Sequence, residues 1–95
     1  MSTTYHPTPD VSLERVLASL PEGIKVFDRK PVYSVPCAVL TDGTYYLHVY
    51  EIRPGVAEFE RFGGNRVGSM LTKLGGVWGC TWTDDTGLPA RLEDA

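Results

Sequence analysis

The fold is decided by residues 37–62, which read CAVLTDGTYYLHVYEIRPGVAEFERF. Asp42-Gly43 is a preferred two-residue turn between strands, so residues 37–41 and 44–52 are predicted to form an antiparallel hairpin. Arg53-Pro54-Gly55 predicts a three-residue reversal with a bulge at the glycine, after which a third strand follows. Connections this short require antiparallel pairing, because parallel strands need a much longer crossover.

The two turns also predict which residues face each other across the strands. A two-residue first turn pairs Cys37 with His48, and the bulged second loop pairs His48 with Glu60. A shorter second loop would set Glu51 directly opposite Glu58, and like charges in that position repel. The bulged register is therefore expected.

Outward from this stretch, two helices are predicted. Residues 9–20 carry an apolar stripe at helical spacing, after a start signal at Thr8-Pro9-Asp10. Residues 67–74 predict a second, short helix that Gly75-Gly76 breaks. The stripe of the first helix comprises Leu13, Val16, Leu17 and Leu20.

Further strands are predicted on either side of the hairpins. Residues 24–28 and 77–83 alternate with the period of a strand, and residues 32–35 form an edge strand or an extended loop between prolines. The expected fold class is α+β: an N-terminal helix packed on a mostly antiparallel sheet of four or five strands, with a short helix before the last strand.

Composition indicates one domain. The chain has 95 residues, of which 42% are hydrophobic, so there is room for a single core over residues 9–84, with flexible tails at 1–8 and 85–95. No stretch has the ~20 apolar residues that span a bilayer, and the N-terminus lacks a signal-peptide pattern, so a cytoplasmic protein is expected. The scattered basic residues and net charge of -3 argue against direct nucleic-acid binding.

The predicted registers divide the sheet into two faces. A core face, which the first helix covers, collects Ala38, Leu40, Tyr45, Leu47, Val49, Ala57 and Phe59. The opposite face, called here the outer face, mixes aromatic rings with carboxylates and an imidazole; it collects Cys37, Val39, Tyr46, His48, Tyr50, Ile52, Val56, Glu58, Glu60 and Phe62.

One hypothesis for the outer face is chemical. Cys37, His48 and Glu60 would lie in one row on adjacent strands, in the order nucleophile, base and orienting carboxylate. The alternative is that Cys37 fills space and the other two form a surface pair, since no loop suited to an oxyanion hole accompanies the row. This alternative is preferred, and no catalytic residue is assigned.

A second hypothesis is binding. Aromatic residues beside carboxylates suit contact with a protein partner that has a basic surface, or with a second copy of the chain. The candidate contact residues are Tyr46, His48, Tyr50, Glu58, Glu60 and Phe62. Alternatively, a further layer of the same chain folds over this face and buries it.

No cofactor or metal is expected. The glycine-rich residues 63–69 lack the lysine of a P-loop and are read as a flexible connection. The four candidate metal ligands, His6, Cys37, His48 and Cys80, lack the paired spacing of zinc sites. Both cysteines are expected to be buried free thiols.

The function that the pattern favours is a small acidic, non-enzymatic module that inhibits or antagonises a partner protein. Inhibitors, immunity proteins and phage-encoded antagonists of host defence such as anti-CRISPR proteins are typical of this class. Two alternatives stay open: a thiol enzyme built on the Cys37 row, and a structural subunit or homodimer that self-associates through the outer face.

Overall fold

The computed structural model describes residues 2–29 and 34–95, and residues 32 and 33 of the predicted segment over 32–35 lie outside these ranges. The described residues form six strands and two α-helices around one core. In chain order the elements are β1 (Ser2–Thr8), α1 (Leu13–Ala18), β2 (Lys25–Asp28), β3 (Cys37–Thr41), β4 (Tyr46–Arg53), β5 (Val56–Phe62), α2 (Gly68–Trp78), β6 (Thr81–Thr83) and a 3₁₀ turn (Leu92–Asp94).

The six strands form one open sheet in the order β2-β3-β4-β5-β1-β6, and every neighbouring pair is antiparallel. The predicted α+β class is confirmed, and a helix, α2, precedes the last strand as predicted. The strand number is six instead of four or five, and the first helix is not the N-terminal element because β1 precedes it.

The expectation of a flexible tail over residues 1–8 is wrong for residues 2–8, which form strand β1. Residues 2–5 of β1 pair with β5 and residues 6–8 pair with β6. Tyr5 lies opposite Phe59 and is buried, as is Pro7. The alternation of buried and exposed positions is that of a strand, but His6, Pro7 and the threonines gave the segment a polar, proline-bearing composition that masked it.

Helix α1 is shorter than predicted. It begins at Leu13, because the Ser12 side chain accepts a hydrogen bond from the Arg15 backbone N–H at 3.1 Å and caps the helix. Glu51 of β4 accepts a second bond from the Leu13 N–H at 3.1 Å. A carboxylate at this end also favours the helix dipole, so β4 anchors α1 to the sheet.

The first hairpin differs from its prediction by two residues. Asp42 accepts hydrogen bonds from the backbone N–H groups of Thr44 and Tyr45, at 2.9 and 2.8 Å, and so extends the turn to four residues. Cys37 consequently lies opposite Tyr50 rather than His48. Because side chains alternate with a period of two, this shift keeps every residue on its predicted face.

The second hairpin has the predicted register from His48 to Glu51, but its bulge precedes the turn instead of lying at Gly55. His48 pairs with Glu60, and a bulge between Glu51 and Arg53 precedes the turn at Pro54-Gly55. The core face is also confirmed. Its predicted residues are fully buried except Tyr45, which packs against the edge of the core.

Helix α2 continues through Gly75-Gly76, where a break was predicted, and ends at Trp78. Gly79 terminates it in the left-handed conformation, with φ of 68°. Packing explains why this helical position is a glycine: a Cβ at residue 75 would come within 2.9 Å of the Cys80 carbonyl oxygen. The last strand is therefore short, Thr81–Thr83, instead of residues 77–83.

The predicted flexible tail over residues 85–95 also packs on the domain. Ala90 donates a backbone hydrogen bond to the Trp82 carbonyl at 2.9 Å, and Thr83 bridges to Pro89. Ala95 is buried, and its carbonyl accepts bonds from the Gly68 N–H and the Arg66 side chain, both at 3.4 Å. The segment thus covers the start of α2.

Candidate functional site

The outer face of the sheet carries all six predicted contact residues. Tyr46, His48 and Tyr50 alternate along β4, and Glu58, Glu60 and Phe62 alternate along β5. Their registers place His48 opposite Glu60 and Tyr50 opposite Glu58. All six are partly or well exposed, whereas the buried residues of α1 and α2 belong to the core on the other side.

The expected second layer over this face is not formed by any helix or strand of the described chain, since α1 and α2 lie on the core side. Three large apolar side chains at or beside the outer face are exposed: Phe27 by 64%, Ile52 by 46% and Phe62 by 39%. Phe27 and Phe62 lie at one end of the face, where their rings contact Tyr46 and His48, whereas Ile52 lies at the other end of β4.

The predicted row of Cys37, His48 and Glu60 is not formed, because its first pairing is wrong. Cys37 lies opposite Tyr50, and Val39 takes the place opposite His48. This makes Cys37 and His48 diagonal neighbours, with Cα atoms typically ~7–8 Å apart. Only the His48 and Glu60 pairing was predicted correctly.

His48 occupies the middle of the outer face in an aromatic surrounding. Its ring meets that of Phe62 edge-on at 4.7 Å between centroids and stacks with that of Tyr50 at 6.3 Å. Its Nδ1 atom is buried without a hydrogen-bond partner among the described residues. Burial lowers the pKa of His48 below its ordinary value of 6.5, and the Glu60 carboxylate offsets only part of this. The imidazole is therefore neutral at pH 7.

A second histidine joins the face from β1. His6 Nδ1 lies 3.2 Å from a carboxylate oxygen of Glu58, in the row that continues to Tyr50 and Cys37. Burial raises the pKa of the Tyr50 hydroxyl, with smaller contributions from Glu60 and Cys37, so this phenol stays protonated at neutral pH. Sequence reasoning missed His6 because it placed residues 1–8 outside the fold.

Asn65 ties the glycine-rich loop to the outer face. Its side-chain oxygen accepts a bond from the Tyr46 backbone N–H at 3.0 Å, and its amide donates to the Phe62 carbonyl at 2.9 Å. The loop that was read as a flexible connection is therefore anchored at this residue. No sequence signal pairs Asn65 with Tyr46, since they are 19 residues apart.

The two cysteines are buried, as predicted, with Cys37 and Cys80 each 8% exposed. Burial raises the pKa of Cys80, which suppresses its reactive thiolate form. Among residues 2–29 and 34–95, no three His, Cys, Asp or Glu side chains converge as metal ligands. Neither helix of these residues is long and apolar enough to cross a bilayer.

Comparison of the chain with protein-family models, with curated proteins and with solved structures finds no match. Any functional assignment must therefore come from the chemistry of the outer face itself.

Proposed function

We propose that this protein is a non-enzymatic binding module that acts by occupying the surface of a partner protein with the outer face of its sheet. The observation that carries the proposal is the composition of that face, where partly exposed rings of β4 lie opposite the carboxylates of β5. Aromatic side chains bury a large area on binding with few torsions to freeze, and they dominate binding energy at protein interfaces.

The charges of the face favour a basic partner. Glu58 lies opposite Tyr50, and Glu60 lies opposite His48. Because the His48 ring is neutral, it does not compensate the negative charge of Glu60. Complementary charge speeds the encounter of two proteins and sets their orientation, while the aromatic side chains supply most of the affinity. We therefore expect the partner to present lysine or arginine around an apolar patch.

The mode of action that we propose is inhibition or antagonism. A small module without a cofactor can alter a partner by covering its functional surface, as inhibitors, immunity proteins and phage-encoded anti-CRISPR proteins do. The thiol-enzyme alternative is weakened because Cys37 and His48 do not face each other. The self-association alternative uses the same face and must be separated from the first by experiment.

The test is capture of the partner by tagged protein from the lysate of the source organism. Tyr46→Ala combined with Tyr50→Ala removes two rings from the outer face, and Val77→Ala is the control because Val77 is 44% exposed on α2. We expect one stoichiometric protein with the wild type and the control, and its loss with the double variant. Circular dichroism verifies that all three proteins are folded.

Retention of the partner by the folded double variant would contradict the proposal. Recovery of only untagged copies of the chain would instead favour the self-associating subunit. Sedimentation velocity then decides that point, because a homodimer that uses this face loses its concentration-dependent mass when both tyrosines are replaced.

A further inference from the structure

The two carboxylates of the outer face differ in what they contact. Glu58 is met by the His6 imidazole of β1, whose Nδ1 lies 3.2 Å from one of its oxygens. Glu60, two residues further along β5, is partly buried, and within the described chain no group forms an ion pair or hydrogen bond with its side chain. Such a carboxylate has lost part of its hydration without gaining a compensating contact. Glu60 is therefore the carboxylate of this face that is best placed to receive a cation from outside.

Three rings form a row beside Glu60. His48 pairs with Glu60 across β4 and β5, and its ring meets Phe62 edge-on at 4.7 Å and stacks with Tyr50 at 6.3 Å between centroids. Burial raises the pKa of Tyr50 and the Glu60 charge adds to this, so Glu60 lies close to Tyr50 as well. Aromatic faces attract cations, and arginine is the side chain that most often uses this contact in proteins.

The side of Glu60 that faces β1 carries short side chains. Thr4 pairs with Glu60, and Ser2 pairs with Phe62; the first is partly exposed and the second is exposed. These residues leave the carboxylate approachable from the β1 side, and their hydroxyl oxygens can accept further hydrogen bonds. The site has the charge and the acceptors to bind a cationic group.

We propose that Glu60 receives an arginine side chain of the protein partner, whose guanidinium donates two parallel hydrogen bonds to the carboxylate and lies against the row of Phe62, His48 and Tyr50. Arginine fits better than lysine because its planar, weakly hydrated head stacks on rings and binds a carboxylate with two bonds. In a two-fold dimer formed through this face, the same carboxylates of both copies would approach each other, which favours a basic protein over a second copy. This inference rests on the proposed function, since it names the group by which a basic partner is held.

The test is a titration of ¹⁵N-labelled protein, followed by NMR at pH 7 and equal ionic strength, with acetyl-arginine amide and separately with acetyl-citrulline amide. The two probes have nearly the same shape, but citrulline has no charge. We expect saturable shift changes at residues 4, 48, 50 and 60–62 with the arginine probe and not with the citrulline probe. Burial lowers the pKa of His48 and the Glu60 charge partly offsets this, so a bound guanidinium should lower that pKa further.

Glu60→Gln removes the charge with little change of shape and should weaken arginine binding by up to about fivefold. Glu58→Gln is the matched comparison, because it removes the same charge from the same strand two residues away. We expect a smaller loss with it, since His6 already contacts that carboxylate.

Equal losses with the two substitutions would reduce the attraction to net charge and overturn the proposal. Equal binding of citrulline and arginine, or the absence of a saturable shift change with arginine, would overturn it as well. If Glu60 fails these tests while capture of the partner still depends on Tyr46 and Tyr50, the proposed function stands without this anchor.

Discussion

Adjacent glycines in helix α2 provide a sharp test of the fold, because the same substitution at each should change stability in opposite directions. Alanine at Gly75 would place its Cβ 2.9 Å from the Cys80 carbonyl oxygen and 3.0 Å from the Trp82 indole nitrogen. Alanine at Gly76 would meet no atom within 4 Å. Both positions are helical, so they share the same gain in intrinsic helix propensity.

The expected magnitudes follow from these contacts. Replacing a helical glycine by alanine gains up to about 1 kcal/mol, so Gly76→Ala should stabilise the protein by ~0.5–1 kcal/mol. Gly75→Ala gains the same amount, but crowding a packed interior costs ~1–3 kcal/mol. It also strains the hydrogen bond from the Trp82 indole to the Leu71 carbonyl, 2.8 Å long, and such a bond contributes about 1 kcal/mol. The net result should be a loss of about 1–2 kcal/mol.

Urea denaturation followed by tryptophan fluorescence measures both changes, since Trp78 and Trp82 are buried and report on this region. In thermal denaturation, Gly76→Ala should raise the midpoint by roughly 2–8 °C. If the helix instead broke at these glycines, alanine at residue 76 would not stabilise the protein. A neutral or destabilising Gly76→Ala, or equal effects of the two substitutions, would refute the continuous helix.

Three further substitutions test other parts of the structure. Gly68→Ala would overlap the Leu92 carbonyl oxygen, so we expect faster hydrogen exchange over residues 85–95; unchanged exchange would contradict the packed C-terminal segment. Tyr5→Ala should destabilise the protein by about 3 kcal/mol or more in urea denaturation, because a buried ring is lost from β1, whereas a flexible tail would tolerate it. Below pH 6.5 the unfolded chain protonates His48 more readily than the folded protein does, so stability should fall as the pH drops, and less so in His48→Gln; parallel pH profiles of the two proteins would contradict the buried imidazole.

Sequence patterns predicted the central strands well because alternation and turns are local signals. The faces were correct although the first hairpin was off by two residues, since a shift of two preserves which side each residue faces. The error came from Asp42, whose side chain captures two backbone N–H groups and lengthens the turn. The preference of Asp-Gly for a two-residue turn does not predict this side-chain interaction.

The terminal segments could not be predicted in the same way. Strand β1 depends on pairing with β5 and β6, which lie more than fifty residues away in the chain. The glycine pair at 75–76 looks like a helix break unless the packing of Trp82 against Gly75 is known. Both cases are tertiary contacts that override local propensity.

The sequence predicted most residues of the outer face, but it missed residues that other parts of the chain contribute to that face. The six contact residues share the outer face, but that face also includes Phe27 of β2, whose ring contacts Tyr46, and Asn65 of the loop after β5, which binds the Tyr46 backbone. These contacts depend on which segments lie next to β4 and β5, and local sequence patterns do not show this. His6 was missed for the same reason.

The most direct test of the binding account is hydroxyl-radical footprinting of the protein alone and with its captured partner. The account predicts that oxidation of the outer-face rings, including Phe27, Tyr46, Tyr50 and Phe62, slows in the complex. Val77 and Leu88, exposed outside that face by 44% and 63%, should be oxidised at the same rate in both states. Protection of Val77 or Leu88 with unchanged oxidation of the outer-face rings would show that the partner binds elsewhere and would contradict the account.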